Sequence, residues 1–325
     1  MSSQIKTITV VMSVKNGEKY LAESINSILE QTFKDFEFII VDNHSSDNSL
    51  KIIREYAEID SRITIVERKI QGNYTDGRTA GIDLVKTEWF ALMDADDISL
   101  PERLKTQINF TNKLLLDTGA NDSFGWEIGA VGTHAYYCNE KGKLLGEMCP
   151  GATSLKEFTK NYKKNEDQVL IDPSTLIKKS AFKEVGGYRN YTDPPCDLDL
   201  WQRMAEKKYA FISIKSKLML YRIHSGSNSV NNTLHQRFMT HFVNFNMRRR
   251  RSGQEEVSLE QFKINKWNNL NYKAPRIFKD YYFFFYKKAA NAYGQNQIPY
   301  LIIFLSICLL MRPWATVTTV IRQKF

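Results

Sequence analysis

Four apolar runs in the first hundred residues, alternating with amphipathic segments, restrict what this chain can fold into more than any other feature. ITVVMSV (8–14), FEFIIVD (36–42), ITIV (63–66) and WFALMDA (89–95) are continuous and rich in β-branched or aromatic residues. That is the pattern of strands buried on both faces. Between the first two runs, Leu21, Ile25, Ile28 and Leu29 fall on one helical face within residues 18–31, and Leu50, Ile53 and Ala57 mark a helix after the second. The alternation predicts an α/β fold, a mainly parallel sheet with helices on both faces. Sheets of this kind bind ligands beyond the carboxyl ends of their strands. Here those ends read SVKN (13–16), VDNHSSD (41–47) and DADD (94–97), so polar and acidic residues collect along one edge.

DADD crowds three carboxylates into four positions at the end of a buried strand. Unpaired burial of such charges costs several kcal/mol in order of magnitude, and two readings avoid that cost. In one, the aspartates sit in a solvated turn, with Asp97 or Ser99 capping a helix; the S-L-P-E pattern at 99–102 is a capping box and predicts a helix starting there. In the other, carboxylates two apart hold a divalent cation through hard oxygen ligands, and the cation binds phosphate on its open side. Neither G-x-G-x-x-G nor G-x-x-x-x-G-K-[ST] occurs, which argues against dinucleotide dehydrogenases and P-loop nucleotidases. Further along, 129–148 reads as strands paired around an Asn-Glu-Lys-Gly turn, 179–187 as a short helix ended by glycine, and 209–224 as strand. YTDPPCDLDLWQRM, between the last two, reads as an acidic loop.

Charge divides the chain. Residues 226–325 hold 15 Lys/Arg against 4 Asp/Glu, a balance of +11, whereas the first 225 hold 30 against 32, a balance of −2. The basic part therefore reads as a separate helical module, 231–325, facing an anionic surface. It interleaves aromatics with cations in KDYYFFFYKK (279–288) and carries the apolar run IPYLIIFLSICLLM (298–311). Fourteen residues fall short of the about 20 needed to cross a bilayer. Two readings follow: a helical bundle packed on the rest of the chain, or an interfacial module in which aromatics enter the headgroup region of an anionic membrane. Nucleic acid is not expected, because the long aliphatic run suits core or lipid. The four cysteines are scattered without C-x-x-C, which suggests a reducing compartment and no structural metal. The N-terminus reads as strand running into helix rather than as a secretory signal.

Taken in order, VVMSVKNGEKYLAESINSILEQTF, FEFIIVDNHSSDNS, GRTAGIDLVKTEWFALMDADD, DPSTLIKKSAFKEVGGYRNY and PCDLDLWQRM followed by YRIHSGSNS resemble the family-2 glycosyltransferases with the GT-A (Rossmann-like) fold. The resemblance spans about residues 7–230 and is nearest to bacterial enzymes of lipopolysaccharide or capsule synthesis. It implies a catalytic domain over 1–230, with a nucleotide-sugar half to about residue 100 and an acceptor half beyond it. It also implies a nucleotide-sugar donor, a glycan or lipid-linked glycan acceptor, and Mn²⁺ or Mg²⁺. A place at the cytoplasmic face of the inner membrane follows from that acceptor and the basic tail.

Residue by residue, Ser13 occupies the place where the family often has Pro, at the turn covering the nucleotide base. Asp42 and Asn43 match the usual Asp-Asp pair, one member of which contacts uracil; Asn43 departs from the pattern, but a uridine nucleotide stays favoured. Arg78 matches an arginine near the nucleotide. Asp94 and Asp96 match the DXD motif, with Asp96 on the metal, Asp94 near the ribose, and Asp97 orienting the loop or capping the helix. Asp197 matches the proposed catalytic base, with Cys196 replacing the usual Glu before it; Asp193 and Asp199 are its neighbours, and Asp199 reads as part of a helix start. His224 matches a histidine that can reach the metal or diphosphate. The implied reaction is inverting transfer of a hexose or N-acetylhexosamine from its UDP form to a hydroxyl. A sugar-nucleotide nucleotidyltransferase and a non-catalytic glycan-binding or scaffold protein are the alternatives.

Overall fold

The computed structural model describes residues 7–70, 72–121, 124–189, 195–224, 226–227 and 231–323. The chain forms two compact units, Met1–Ala135 with Cys149–Leu220, and Tyr136–Met148 with Tyr221–Phe325.

In the first unit the apolar runs become β1 (Ile8–Val14), β2 (Phe36–Asp42), β3 (Ile63–Glu67) and β4 (Trp89–Asp94). They alternate with α1 (Glu18–Leu29), α2 (Ser49–Ile59) and α3 (Tyr74–Leu84). These four strands are parallel, in the order β3-β2-β1-β4. Burial drives this choice: Val10, Met12, Phe38, Ile40, Phe90 and Ala91 are fully buried, as strands covered on both faces require. The rest of the sheet is antiparallel. After β5 (Ile98–Ser99) and α4 (Arg103–Asn121), β6 (Glu127–Cys138) and β8 (Leu176–Lys178) continue the order β4-β8-β6-β9-β5, with β9 at Tyr209–Arg222 and β7 (Leu144–Met148) paired to β6. The outcome is a mixed α/β sheet whose parallel part is the one legible as apolar runs. Between these strands lie α5 (Leu155–Lys163), α6 (Lys179–Glu184) and α7 (Cys196–Glu206). α6 ends as expected, with Gly186 and Gly187 at φ 79° and 63° and Gly187 N–H donating to Phe182 O at 2.9 Å.

Two local expectations change. The expected helix follows the S-L-P-E pattern, as α4 from Arg103, but Ser99 does not cap it: its backbone pairs with Met219 in the strand ladder and its Oγ accepts from Gln31 Nε2 at 3.1 Å. Tertiary pairing thus overrides the capping-box pattern. Residues 196–204 of the expected acidic loop lie in helix α7, which fits the reading of Asp199 as part of a helix start, because Leu198, Leu200, Trp201 and Met204 supply a buried helical face; residues 190–194, Asp193 among them, lie outside the described residues.

The second unit contains α8 (Thr233–Arg251), a short turn α9 (Leu259–Phe262) running into a π-helical turn (Lys263–Trp267), then α10 (Leu270–Gly294), α11 (Ile298–Met311) and α12 (Pro313–Gln323). Met239, Phe242 and Phe262 form its core, with Phe238, Phe245 and Trp267 packed around them. The turn at 139–142 belongs to this unit: Asn139 Nδ2 donates to Gly294 O at 2.9 Å. Asp280 lies buried on α10 between two α8 residues, accepting from Arg237 Nε at 2.8 Å and meeting His241 Nε2 at 2.8 Å. Burial alone would raise its carboxyl, yet hydrogen bonds from His241 and Arg237 hold it below the usual aspartate value of 3.8. That contribution is present above pH 3.8 and is lost as pH falls through the lower folded value. Asp280→Ala should destabilise this unit by about 3 kcal/mol, because Arg237 and His241 lose their buried partner. Denaturant unfolding followed by the fluorescence of Trp267, which stacks on His241, reports the change; an unshifted midpoint would contradict the assignment.

Candidate active site

The site begins with register. β1 lies between β2 and β4, and Ser13 faces Val41 on one side and Asp94 on the other, so three strand ends finish level. The loops beyond them are laced together. Asn16, at φ 52°, receives the Ser46 N–H on its Oδ1 at 2.8 Å and donates its own N–H to Ser45 Oγ at 3.0 Å. Gly17 N donates to Ser49 Oγ at 2.9 Å, and Glu18 Oε2 accepts from Asn48 N at 2.9 Å. α3 then packs directly over the level ends. A Cβ on Gly77 would collide with Ser13 Oγ and press on Asn43, so glycine is required by close approach rather than by φ.

Asp42 and Asn43 are both buried at the end of β2. Asp42 Oδ2 accepts from Ser45 N at 3.2 Å, while its buried Oδ1 has no hydrogen-bond partner among the described residues. The Asn43 side chain braces the entry to α3: its amide donates to Asn73 O at 3.0 Å and its oxygen accepts from Arg68 Nη1 at 2.7 Å. Arg68 also lines an open surface hollow with Asp76, Asp83, Tyr188 and Arg189.

At the tip of β4, Asp94, Asp96 and Asp97 each bring a carboxylate oxygen within 4.8 Å of the others. Asp97 is buried and its carbonyl accepts from Ser24 Oγ at 2.7 Å, which fixes the loop. That bond is made by the backbone, while the Asp97 carboxylate joins the cluster. Clustered carboxylate oxygens in a turn are a hard donor set that fits Mg²⁺ or Mn²⁺.

Two buried arginines lie against the cluster. Arg78, on α3, is 2% exposed and pairs through one Nη with Asp94 and through the other with Asp172. Asp172 in turn accepts from Tyr188 OH at 3.3 Å. Arg103, at the start of α4, is fully buried; its Nη2 donates to Leu92 O at 2.8 Å and its Nε to Gln107 Oε1 at 3.1 Å. Burial pulls its pKa down to about 10, while the negative charges of Asp97 and Asp94 oppose the shift, so it stays charged at neutral pH. Sequence reasoning missed Arg103, Asp172 and Tyr188. The only local signal was a charged residue placed where the pattern demands apolar ones, as in VLID before Pro173.

Asp197 lies in the first turn of α7, partly exposed, after the N-cap residue Pro195. Burial of the carboxyl raises its pKa; backbone hydrogen bonds and Arg78 pull the other way, and Asp94 adds to the rise. Arg78 and the Asp94 it pairs with are thus among the charges that act on Asp197. Asp199 instead makes a buried pair with Arg203 at 2.8 Å, as a helix residue. His224 belongs to the second unit, just past β9, where its Nδ1 accepts from Gly226 N at 3.2 Å and its N–H donates to Ser227 Oγ at 3.0 Å.

A parallel four-stranded edge with level polar ends, continued by antiparallel strands and carrying an acidic cluster on β4, defines an α/β enzyme of the GT-A type. Residues 9–186 match the family described as Glycosyl transferase family 2, and the chain belongs to that family. It is 31% identical over 238 residues to an uncharacterized glycosyltransferase of Methanocaldococcus jannaschii, covering 73% of this chain and 77% of the relative. It is 29% identical to the O-antigen biosynthesis glycosyltransferase WbnJ of Escherichia coli, over 68% of this chain and 81% of that protein. Among solved structures, the mannosyltransferase PcManGT of Pyrobaculum calidifontis, in complex with GDP-Man and Mn²⁺, superposes with a TM-score of 0.53 at 16% identity, covering 98% of this chain and 84% of that one. S. aureus TarS 1–349 in complex with UDP-GlcNAc gives 0.55 at 13% identity, over 91% and 89%. At such identities the two structures speak to the fold alone.

Arg103→Met should destabilise the protein by about 3–5 kcal/mol, since it strips a buried cation from Asp94 and Asp97. Adding Asp97→Asn should recover part of that loss. Denaturant titrations of the two single variants and the double variant check it, and additive losses would contradict the coupling.

Proposed function

We propose that this glycosyltransferase moves a hexose or N-acetylhexosamine from its UDP form to a hydroxyl of a glycan or lipid-linked glycan, with inversion at the anomeric carbon. The observation that carries this reading is the gathering of Asp94, Asp96 and Asp97 at one strand end, with Asp197 in the field of the same cluster. The solved neighbours support it in kind, one being bound to GDP-Man and Mn²⁺ and another to UDP-GlcNAc. A likeness to an O-antigen enzyme supports a glycan acceptor. Such an acceptor suits an enzyme at the cytoplasmic face of the inner membrane.

In this reading Asp96 is the principal ligand of a Mn²⁺ or Mg²⁺ ion, with Asp94 and Asp97 beside it. Bound there, the ion would neutralise charge developing on the departing diphosphate. Arg78 clamps Asp94 against Asp172 and so fixes the cluster before the donor arrives. Ser13, Asp42 and Asn43 hold the base and ribose end; a base N–H arriving there would satisfy the buried Asp42 Oδ1. Asp197 takes the proton of the acceptor hydroxyl as that oxygen attacks C1 from the face opposite the leaving group. A carboxyl raised by burial is a better proton acceptor near neutral pH than an ordinary aspartate. The C1–O bond to the diphosphate breaks as the new glycosidic bond forms, through an oxocarbenium-like state. With no protein nucleophile in the sequence of steps, an α-linked donor gives a β-linked product.

Asp197→Asn should lower transfer about a thousandfold, the span of a lost general base, while donor binding stays at the wild-type level. The raised folded pKa means that the native state holds this proton more tightly than the unfolded chain does. Ionised Asp197 therefore costs stability as pH rises above 3.8, and the Asn variant should fold at least as stably near neutral pH. A screen of nucleotide sugars with Mn²⁺, reading released nucleoside diphosphate, tests the reaction class. Release of pyrophosphate, or a fully active Asp197→Asn enzyme, would overturn the mechanism.

A further inference from the structure

The second unit carries a helix whose surface is reversed. On α11 the inward positions pack against α10: the Phe304 ring lies 6.3 Å from that of Phe285, and Cys308 Sγ comes within 3.9 Å of the Tyr282 carbonyl. The outward positions follow helical spacing through Ile302, Ile303, Ser306, Leu309 and Leu310. Four of these are large aliphatic residues, exposed by 59%, 52%, 42% and 87% for Ile302, Ile303, Leu309 and Leu310. From Ile298 to Met311 there is no charged residue. Trp314, 83% exposed, and Val317 extend the apolar surface onto α12. A helix facing water carries polar residues at such positions, and a continuous apolar face of this size marks an interaction surface.

The segment that carries the stripe is basic. Residues 270–325 hold eight Lys/Arg against one acidic residue, Asp280, and that one is already engaged by Arg237 and His241. Arg312 stands at the junction of α11 and α12, between Leu310 and Trp314, and Lys279 is exposed on α10.

We propose that α11 and the start of α12 dock this protein on an anionic lipid surface. The Ile/Leu stripe lies in the plane of the bilayer among the upper acyl chains, Trp314 sits at the boundary, and Arg312 with the exposed Lys279 of this basic segment meets the headgroups. Length favours lying flat over crossing: 14 helical residues rise about 21 Å, against a hydrocarbon core of about 30 Å. Among the described residues no helix is long and apolar enough to cross a membrane. Charge favours lipid over a second copy of the chain, since a second copy would bring an equally basic segment against this one. The docking rests on the second unit alone and does not depend on which donor or acceptor the first unit takes.

The test is flotation of the full-length chain with vesicles of phosphatidylcholine alone and with phosphatidylglycerol in equal parts. Wild-type protein should rise with the anionic vesicles and less so at high salt. Ile303→Ser and Leu310→Ser should each lower recovery about tenfold, the order expected for withdrawing one large aliphatic side chain from an apolar phase. Ile303→Leu should float like wild type. Both serine variants change exposed side chains only, so their donor hydrolysis without vesicles should match wild type, which separates a docking defect from a failed active site. Wild-type protein left at the bottom with anionic vesicles, or serine variants that float undiminished, would overturn the proposal. So would a dimer in lipid-free solution that Leu310→Ser dissociates, since it would give the stripe to a second copy.

Discussion

The two buried arginines at the tip of β4 are the interaction on which the rest of the first unit depends. Three carboxylates at one strand end repel one another, and their mutual energy rises as water is excluded. Arg103 answers as a fully buried cation whose charge is favoured by Asp97 and Asp94. Arg78 answers from the side, stretched between Asp94 and Asp172. Together they let the acidic cluster exist in the folded protein and fix where its oxygens stand. The charges of Arg78 and Asp94 also act on Asp197, the catalytic residue proposed here, which is 103 positions from Asp94 in sequence.

Much of this architecture was legible beforehand. β1, β2, β3 and β4 fall where their apolar runs end, because a strand covered on both faces leaves no polar position within it, and the polar residues just after each run therefore mark the ligand edge. The glycine stop of α6 was legible for an equally local reason. What escaped depends on partners remote in sequence. Ser99 reads locally as a helix cap, yet its backbone is taken by Met219 and its hydroxyl by Gln31. Asp172 meets Arg78 across 94 residues, and nothing around either residue encodes the pairing. Gly77 looks like an ordinary helical glycine until Ser13 is found against it.

The second unit obeys a different economy. Its core is aromatic, built on Phe242 and Phe262, and one buried aspartate joins α8 to α10 through Arg237 and His241. Its charge excess was visible in the sequence, as was the apolar run at 298–311. Their arrangement was not, since the run has almost no helical periodicity from which to tell an inner from an outer face. Packing on α10 decides that question and leaves Ile302, Ile303, Leu309 and Leu310 facing outward.

The central claim is that the carboxylates at the end of β4 join this protein to a nucleotide through a divalent ion. Calorimetric titration of UDP into the folded protein, with Mn²⁺ and again after its removal by chelation, tests that claim most directly. The account predicts saturable uptake that requires the ion and is lost in Asp96→Ala. Tight binding of UDP that is indifferent to Mn²⁺, or that survives in Asp96→Ala unchanged, would contradict it.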